Sequence, residues 1–168
     1  MLANFERLGV RFHYPEGWEL DSAGGEREIT VYSPGGAFWS VTIYEAELDS
    51  QEIVDQVVAA MREEYPELDV TPLTETLEGF DYVGCEMNFY YLDLTSTAIA
   101  RVFRGMWANY LVIFQAEDRE FAEYADVFAA MTQSFLLESN LRGQPLNADF
   151  TDEDEGDLDD DEDDEARP

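Results

Sequence analysis

The chain contains one histidine and one cysteine, His13 and Cys85, which are the residues best suited to covalent catalysis. An imidazole base beside a thiol can form a nucleophilic dyad. Cys85, however, lies between Val83 and Met87 in an alternating pattern typical of a strand, where a cysteine usually packs as a small hydrophobic residue. We therefore predict a structural role for Cys85 and assign no catalytic residue.

The sequence contains no defined metal or cofactor site. One histidine and one cysteine cannot supply the three or four nitrogen and sulfur ligands of a zinc site. A loop starting at Thr151 has glycine at its sixth position and Glu162 at its twelfth, as calcium-binding loops do, but its first position lacks the required aspartate. We predict no cofactor, no specific metal ion, and only weak, diffuse binding of divalent cations by the acidic C-terminal tail.

Two arginines, Arg101 and Arg104, fall within residues 80–117, a stretch that carries few charges in an otherwise acidic chain. Their spacing places them on opposite faces of a predicted strand. One interpretation is that each forms an ion pair with a nearby carboxylate. The alternative is that they hold a small anionic ligand in a cleft between the sheet and a helix, which makes them the candidate ligand-binding residues.

The net charge of −30 excludes several classes of partner. It arises from 39 acidic residues against nine arginines, and the chain has no lysine. The arginines are scattered, so no cationic cluster is available to neutralise the phosphates of nucleic acid or the head groups of an anionic membrane. A basic surface on another protein is the complementary partner, and we expect a protein partner of that kind.

Three further features suggest where the protein acts. No run approaches the roughly eighteen apolar residues of a membrane span. The first residues lack the basic segment and apolar stretch of a secretory signal. A single cysteine suits a reducing compartment. We therefore expect a cytoplasmic protein.

The C-terminal part of the chain differs in composition from the rest. The sequence becomes polar from Glu138, and Asp149 to Pro168 contains thirteen acids and one arginine. Such a segment cannot bury enough apolar surface to fold, so we predict one domain at residues 1–137 and a disordered tail at residues 138–168. The candidate partner-binding residues of the tail are Asp152, Glu153, Asp154, Glu155, Asp159, Asp160 and Asp161.

Residues 80–117 predict the centre of a β-sheet. Three runs rich in aromatic and β-branched residues are separated by turn signals at 92–94 and 104–106, which indicates a three-stranded meander. The third run, residues 110–114, is apolar on both faces. It should therefore lie inside the sheet with a cover on each side, and we expect helices to form both covers.

The remaining pattern completes an α/β sandwich with a mainly antiparallel sheet. Strands are predicted at residues 9–14, 28–32, 37–45 and 68–77. Pro72 interrupts the last of these, which places it at a sheet edge or gives it a bulge. An amphipathic helix should begin after an N-cap at Asp49 and end at Pro66, and a second should begin with Asp118 as its cap.

Two segments resemble the PsbP-like family, which includes the extrinsic photosystem subunit, a Ran-binding nuclear import factor and many small bacterial proteins and lipoproteins. The first is Phe12-His13-Tyr14-Pro15-Glu16-Gly17-Trp18, and the second is the strand at 110–114 running into a helix that closes on Met131-Thr132-Gln133-Ser134-Phe135. The resemblance covers about residues 8–137 and implies the fold. Because members of the family have unrelated functions, it implies no functional residue.

The function that these observations predict is a non-enzymatic interaction module or adaptor whose acidic surface and tail bind a basic protein. One alternative is a small-ligand carrier or an enzyme that uses a cleft near Arg101 and Arg104. A second alternative is an acidic secretion or folding chaperone.

Overall fold

A computed structural model describes residues 1–142. The predicted tail from residue 143 onward, with its candidate partner-binding acids, lies outside the described residues. The elements follow one another as β1 (Leu2–Arg7), β2 (Val10–Pro15), β3 (Glu19–Asp21), β4 (Glu28–Tyr32), β5 (Phe38–Glu45), α1 (Ser50–Glu64), β6 (Asp69–Leu77), β7 (Phe80–Tyr91), β8 (Leu94–Arg104), β9 (Ala108–Glu117) and α2 (Asp118–Glu138).

Seven strands form one sheet in the order β3-β4-β5-β9-β8-β7-β6, and every neighbouring pair is antiparallel. The α/β fold class with a mainly antiparallel sheet is thereby confirmed. The predicted meander is the run β7-β8-β9. Strand β9 lies between β5 and β8, as its two apolar faces indicated. Strand β6, which contains Pro72, forms an edge of the sheet.

Tight turns connect the strands of the meander and its neighbour. Leu92 and Asp93 join β7 to β8 with φ values of 53° and 65°, and Glu78 and Gly79 join β6 to β7 with φ values of 50° and 83°. Two-residue turns with both φ angles positive match the right-handed twist of the strands that they connect. Leu92 adopts this conformation without the freedom of glycine, which costs some backbone energy.

Helix α1 covers one face of the sheet. Its N-cap is Asp49, as predicted, because the Asp49 carboxylate accepts hydrogen bonds from the backbone N–H groups of Gln51 and Glu52. The buried side chains Ile53 and Val54 pack in one layer with residues of β7, β8 and β9, among them Cys85, Met87, Phe89, Ala100, Val102 and Leu111.

Helix α2 begins differently from the prediction. Its N-cap is Glu117 rather than Asp118, because the Glu117 carboxylate accepts from the N–H groups of Arg119 and Glu120 at 3.2 and 3.4 Å. Asp118 is the first helical residue. Its Oδ1 accepts a hydrogen bond from Thr97 Oγ1 on β8 at 2.7 Å, which ties the helix to the sheet.

The second face is covered by α2 together with the β1–β2 hairpin, whereas the sequence predicts helices alone. Phe12 of the hairpin packs on Trp39 with ring centroids 4.7 Å apart. Trp39 Nε1 donates to Thr132 Oγ1 at 3.0 Å, so α2 and the sheet share a buried polar contact. The hairpin forms because Leu8 and Gly9 both have positive φ, which reverses the chain after β1.

The folded part of the chain extends past residue 137, which we predicted as the end of the domain. Helix α2 includes Glu138, and Leu141 is buried in the core beside α2. The N–H of Met106 donates to the carbonyl of Leu141 at 2.9 Å, and the N–H of Asn140 donates to the carbonyl of Gly9. Residues 138–142 therefore pack with the domain, since an isolated leucine in a polar segment still fills a core position. The division into one domain and a tail stays a prediction.

Candidate functional site

The structure places His13 and Cys85 in different layers. His13 lies on the β1–β2 hairpin, where its Nε2 is 2.7 Å from a carboxylate oxygen of Glu138 and its Nδ1 contacts the side-chain oxygen of Asn4. Cys85 is buried on the α1 face of the sheet with 1% of its surface exposed. The sheet separates the two residues, so they cannot form the nucleophilic dyad considered above.

We predict that the thiol of Cys85 is unreactive in the folded protein. Burial raises the pKa of the Cys85 thiol, and the nearby Asp55 carboxylate raises it further, so little of the nucleophilic thiolate forms near neutral pH. A thiol reagent at pH 7.5 should label the native chain at least about 100-fold more slowly than the chain unfolded in urea. Equal labelling rates in the two states would contradict this prediction and make the thiol available for chemistry.

Arg101 is held by aromatic rings on the α2 face of the sheet. Its guanidinium carbon lies 5.1 Å from the ring centroid of Tyr82 and 5.4 Å from that of Phe114. Its Nε is buried and has no hydrogen-bond partner in the described part of the chain. Gly84, the residue paired with Arg101 across the β7–β8 ladder, has no side chain to compete for this space. Cation–π packing therefore explains the position of Arg101.

Arg104 is exposed and lies on the opposite, α1 face. It borders a surface cavity of about 420 Å³ whose other lining residues include Ser50, Thr76 and Asp81. Asp81 accepts a hydrogen bond from Thr76 Oγ1 at 2.6 Å. Aspartate beside Arg104 offsets the positive charge that an anionic ligand would need.

The structure does not bring Arg101 and Arg104 together. Because they lie on opposite faces of β8, no single cleft contains both guanidinium groups. Within residues 1–142, neither arginine lies within 4.0 Å of a carboxylate, in contrast to Arg11, whose guanidinium is 3.0 Å from Glu6. The interpretation that both arginines pair with carboxylates is therefore wrong for the described part of the chain.

One exposed apolar surface is the end of the β7–β8 hairpin. We call it the apolar tip and define it as Tyr90, Tyr91, Leu92 and Leu94. Tyr90 is 67% exposed and Leu92 is 77% exposed, so most of the surface of these two side chains faces solvent. An exposed group of large apolar side chains is a common mark of a protein-interaction site.

Aromatic packing supports the apolar tip from beneath. The ring of Tyr65, the C-cap residue of α1, lies 4.4 Å from that of Phe89 and 6.2 Å from that of Tyr91. Phe89 is itself buried in the core under α1. The tip is therefore attached to the core through a tilted and an edge-on ring contact, which reduces the entropy that the side chain of Tyr91 loses on binding.

Two carboxylates lie at the base of the apolar tip. Glu64 and Glu67 border a cavity of about 250 Å³ together with Tyr65, Phe89 and Tyr90. The pKa of the Tyr65 hydroxyl is raised by burial first, then by the charge of Glu64 and by Tyr91. The C-terminal end of α1 adds the negative end of the helix dipole. The tip is thus an apolar centre with a negative border.

Comparison with solved structures identifies the architecture. The chain is similar to cyanobacterial PsbP (CyanoP) from Synechocystis with a TM-score of 0.60 and 12% sequence identity, over 79% of this chain and 90% of that protein. The fold is PsbP-like. LpqN from Mycobacterium tuberculosis, described as involved in cell envelope biogenesis, aligns over 79% of this chain and 88% of its own, with a TM-score of 0.49 and 13% identity. PA94 from Pseudomonas aeruginosa, of unknown function, aligns over 79% of this chain and 94% of its own, with a TM-score of 0.48 and 8% identity.

No family model matches the sequence, and no curated protein matches it. At 12% identity, the likeness to the cyanobacterial protein shows the PsbP-like fold alone. The two segments that carried the resemblance pack into the core of that fold. Trp18 lies edge-on to Tyr124 at 5.1 Å and to Phe128 at 6.1 Å, and Phe135 lies 5.8 Å from Tyr110.

Two further properties of residues 1–142 concern membranes and metal ions. No helix in that range combines the length and the apolar character needed to cross a membrane. Nor does that range contain a group of three or more histidine, cysteine or acidic side chains placed to hold a metal ion.

Proposed function

We propose that the protein is a cytoplasmic, non-enzymatic interaction module or adaptor that binds a basic protein partner. The observation that carries this proposal is the apolar tip with its border of carboxylates. Binding energy in protein interfaces concentrates in a few buried aromatic and large apolar residues at the centre of the contact. Tyr90, Tyr91, Leu92 and Leu94 have these properties, and their exposed surface has no cover in the described part of the chain.

The charge of the domain supports a basic partner. Residues 1–142 alone contain 26 acidic residues and eight arginines. Such a field accelerates encounter with a positively charged surface, although salt screens it beyond about 8 Å at physiological ionic strength. A partner that fits the tip has an apolar pocket bordered by lysine or arginine, where those cations meet Glu64 and Glu67. The acids of the tail, including Asp152–Glu155 and Asp159–Asp161, form a second attractive segment in this proposal.

The two alternative functions differ in how well the site supports them. A carrier or enzyme using Arg101 and Arg104 would have to use one of them alone, because they lie on opposite faces. A secretion or folding chaperone would also use an exposed apolar patch on an acidic protein. A chaperone would bind many unfolded clients, whereas the adaptor binds a folded partner with saturable affinity.

We predict that the double variant Tyr90→Thr/Leu92→Asn loses partner binding. Threonine favours strands and asparagine tolerates the positive φ of position 92, so folding should be unaffected while the apolar surface is removed. Recovery of the bound basic protein in a pull-down should fall by about tenfold. The matched control is Met106→Gln, which changes an equally exposed residue in the turn between β8 and β9 and should retain binding.

Carbodiimide coupling locates the contact. Because the chain has no lysine, zero-length coupling of its carboxylates can join them only to its own N-terminus or to amines of the partner. Coupling should occur at Glu64 and Glu67 and should disappear in the tip variant.

Binding should also weaken as salt rises. Deletion of Asp149 to Pro168 should remove part of the binding without lowering the melting temperature. If tip replacement, tail deletion and salt all leave recovery unchanged, the acidity serves only solubility.

A further inference from the structure

We propose that the free edge of β6 binds an extended basic and apolar segment of another protein as an additional strand of the sheet. An apolar side chain of that segment would occupy the groove between β6 and α1. This surface is separate from the apolar tip, and the proposal does not depend on the function proposed for the tip.

The two edges of the sheet differ in their capacity to accept a strand. Edge strand β3 has three residues, whereas β6 has nine and, within residues 1–142, pairs only with β7. A long unpaired edge presents a row of main-chain donors and acceptors, which other chains can use by strand addition. Only β6 offers such a row over a length typical of a recognition site.

The turn after β6 decides which of its main-chain groups face outward. Leu77 and Phe80 flank the two-residue turn and are paired, so they exchange both hydrogen bonds. Hydrogen-bonded and non-hydrogen-bonded pairs alternate along an antiparallel ladder. Val70, Pro72, Thr74 and Thr76 therefore direct their main-chain groups toward the open edge. Pro72 fits this assignment because it has no N–H to give to β7, and the outward donors are the N–H groups of the other three residues.

A groove runs beside this edge. Its volume is about 410 Å³, and its apolar lining includes Val54, Val58, Ala59, Val70, Pro72 and Cys85. Side chains of an added strand would alternate between the two faces of the sheet. Every second side chain would therefore point toward α1, and the one beside Pro72 would enter the groove. An aliphatic residue suits that position because the lining is mostly apolar.

Charge identifies the rest of the segment. Residues 50–78, which form both walls of the groove and the connection between them, contain eight acidic residues and one arginine. Asp55 and Gln51 border the groove directly, beside that single arginine, Arg62. Lysine or arginine on either side of the aliphatic residue would point to the opposite face of the sheet, where Asp69 and Glu75 of β6 lie on the same side as Tyr82. These cations would be attracted there, whereas an acidic segment would be repelled. The occupant is therefore an extended segment in which basic and aliphatic residues alternate.

The test uses the full-length protein and a fluorescent peptide of about nine residues, the length of β6, in which lysine and valine alternate. Fluorescence anisotropy should show saturable binding that weakens with salt. Hydrogen exchange should slow at the amides of Val70, Thr74 and Thr76. N-methylation of alternate peptide amides should weaken binding by about tenfold, since it blocks strand addition but keeps the charge. A peptide with glutamate in place of lysine should not bind.

Two protein variants examine the edge and the groove separately. Thr74→Pro removes one outward donor that has no role in the β6–β7 ladder, and Ala59→Trp fills the groove from the exposed side of α1; each should weaken peptide binding by about tenfold. The tip variant Tyr90→Thr/Leu92→Asn should bind the peptide normally. Absence of saturable binding would overturn the proposal. Equal binding of the N-methylated peptide would also overturn it. So would a result in which the tip variant loses binding while Thr74→Pro and Ala59→Trp both retain it.

Discussion

Phe128→Ala is expected to lower the free energy of unfolding by about 3–5 kcal/mol. Phe128 of α2 is fully buried, and its ring lies 5.0 Å from Phe114, 5.7 Å from Phe121 and 6.1 Å from Trp18. Alanine would leave a cavity bordered by rigid rings from the sheet, the helix and the turn after β2. Such surroundings collapse only partly, so the loss of transfer energy and the cavity both contribute.

Urea denaturation measures this effect, with Leu137→Ala as the matched control. Leu137 lies on the same helix but is 59% exposed, so its replacement should change stability by less than about 0.5 kcal/mol. The dependence of unfolding on urea should be the same in all three proteins, since the surface exposed on unfolding barely changes. A loss below about 1 kcal/mol for Phe128→Ala would mean that α2 does not close the core as described.

The parts of the fold that the sequence predicted are those in which local pattern and tertiary environment agree. Residues 110–114 are apolar at every position because β9 is central and both faces are covered, so burial itself determined the pattern. Asp49 could be recognised as a helix cap because its carboxylate accepts hydrogen bonds from N–H groups only two and three residues later in the chain. Pro72 indicated an edge because a central strand cannot lose that donor.

The parts that were missed depend on contacts between distant residues. Leu2–Arg7 is short and mixed in polarity, and it is a strand because β2 pairs with it. Either of the adjacent acids Glu117 and Asp118 could be the N-cap of α2. Glu117 takes this role while the carboxylate of Asp118 accepts a hydrogen bond from Thr97, which lies on a strand about twenty residues earlier. Leu141 is an isolated leucine in a polar segment. Only the position of the β8–β9 turn shows that it packs in the core.

The candidate site was missed for a related reason. Tyr90, Tyr91 and Leu94 belong to aromatic and β-branched runs that are typical of a core. Tyr91 and Leu94 lie on the α1 face, and they are exposed because α1 ends at Glu64. Strand alternation did place Arg101 and Arg104 on opposite faces. It could not show that Tyr82 and Phe114 would pack against the guanidinium of Arg101, because β9 contributes one of those rings.

Gly84→Ala is expected to destabilise the protein by at least about 2 kcal/mol. A Cβ atom at position 84 would lie 2.0 Å from the carbonyl oxygen of Ala100 and 2.9 Å from the Cα of Arg101. Both are backbone atoms of β8, a strand held on its other side by β9, so neither can move aside without breaking ladder hydrogen bonds. The strain would therefore spread across the middle of the sheet.

Gly17→Ala is the matched control, because a Cβ atom at position 17 would meet nothing within 4 Å. Its effect on the free energy of unfolding should stay within about 0.5 kcal/mol. Thiol labelling provides an independent readout. Gly84 precedes Cys85, and separation of β7 from β8 should open the α1 layer and accelerate labelling of Cys85 in the variant but not in the control. If both glycine variants unfold at the same urea concentration as the parent protein and label equally slowly, β7 and β8 do not approach as closely at Gly84 as the geometry requires. The steric requirement for glycine at position 84, opposite Arg101, would then be wrong.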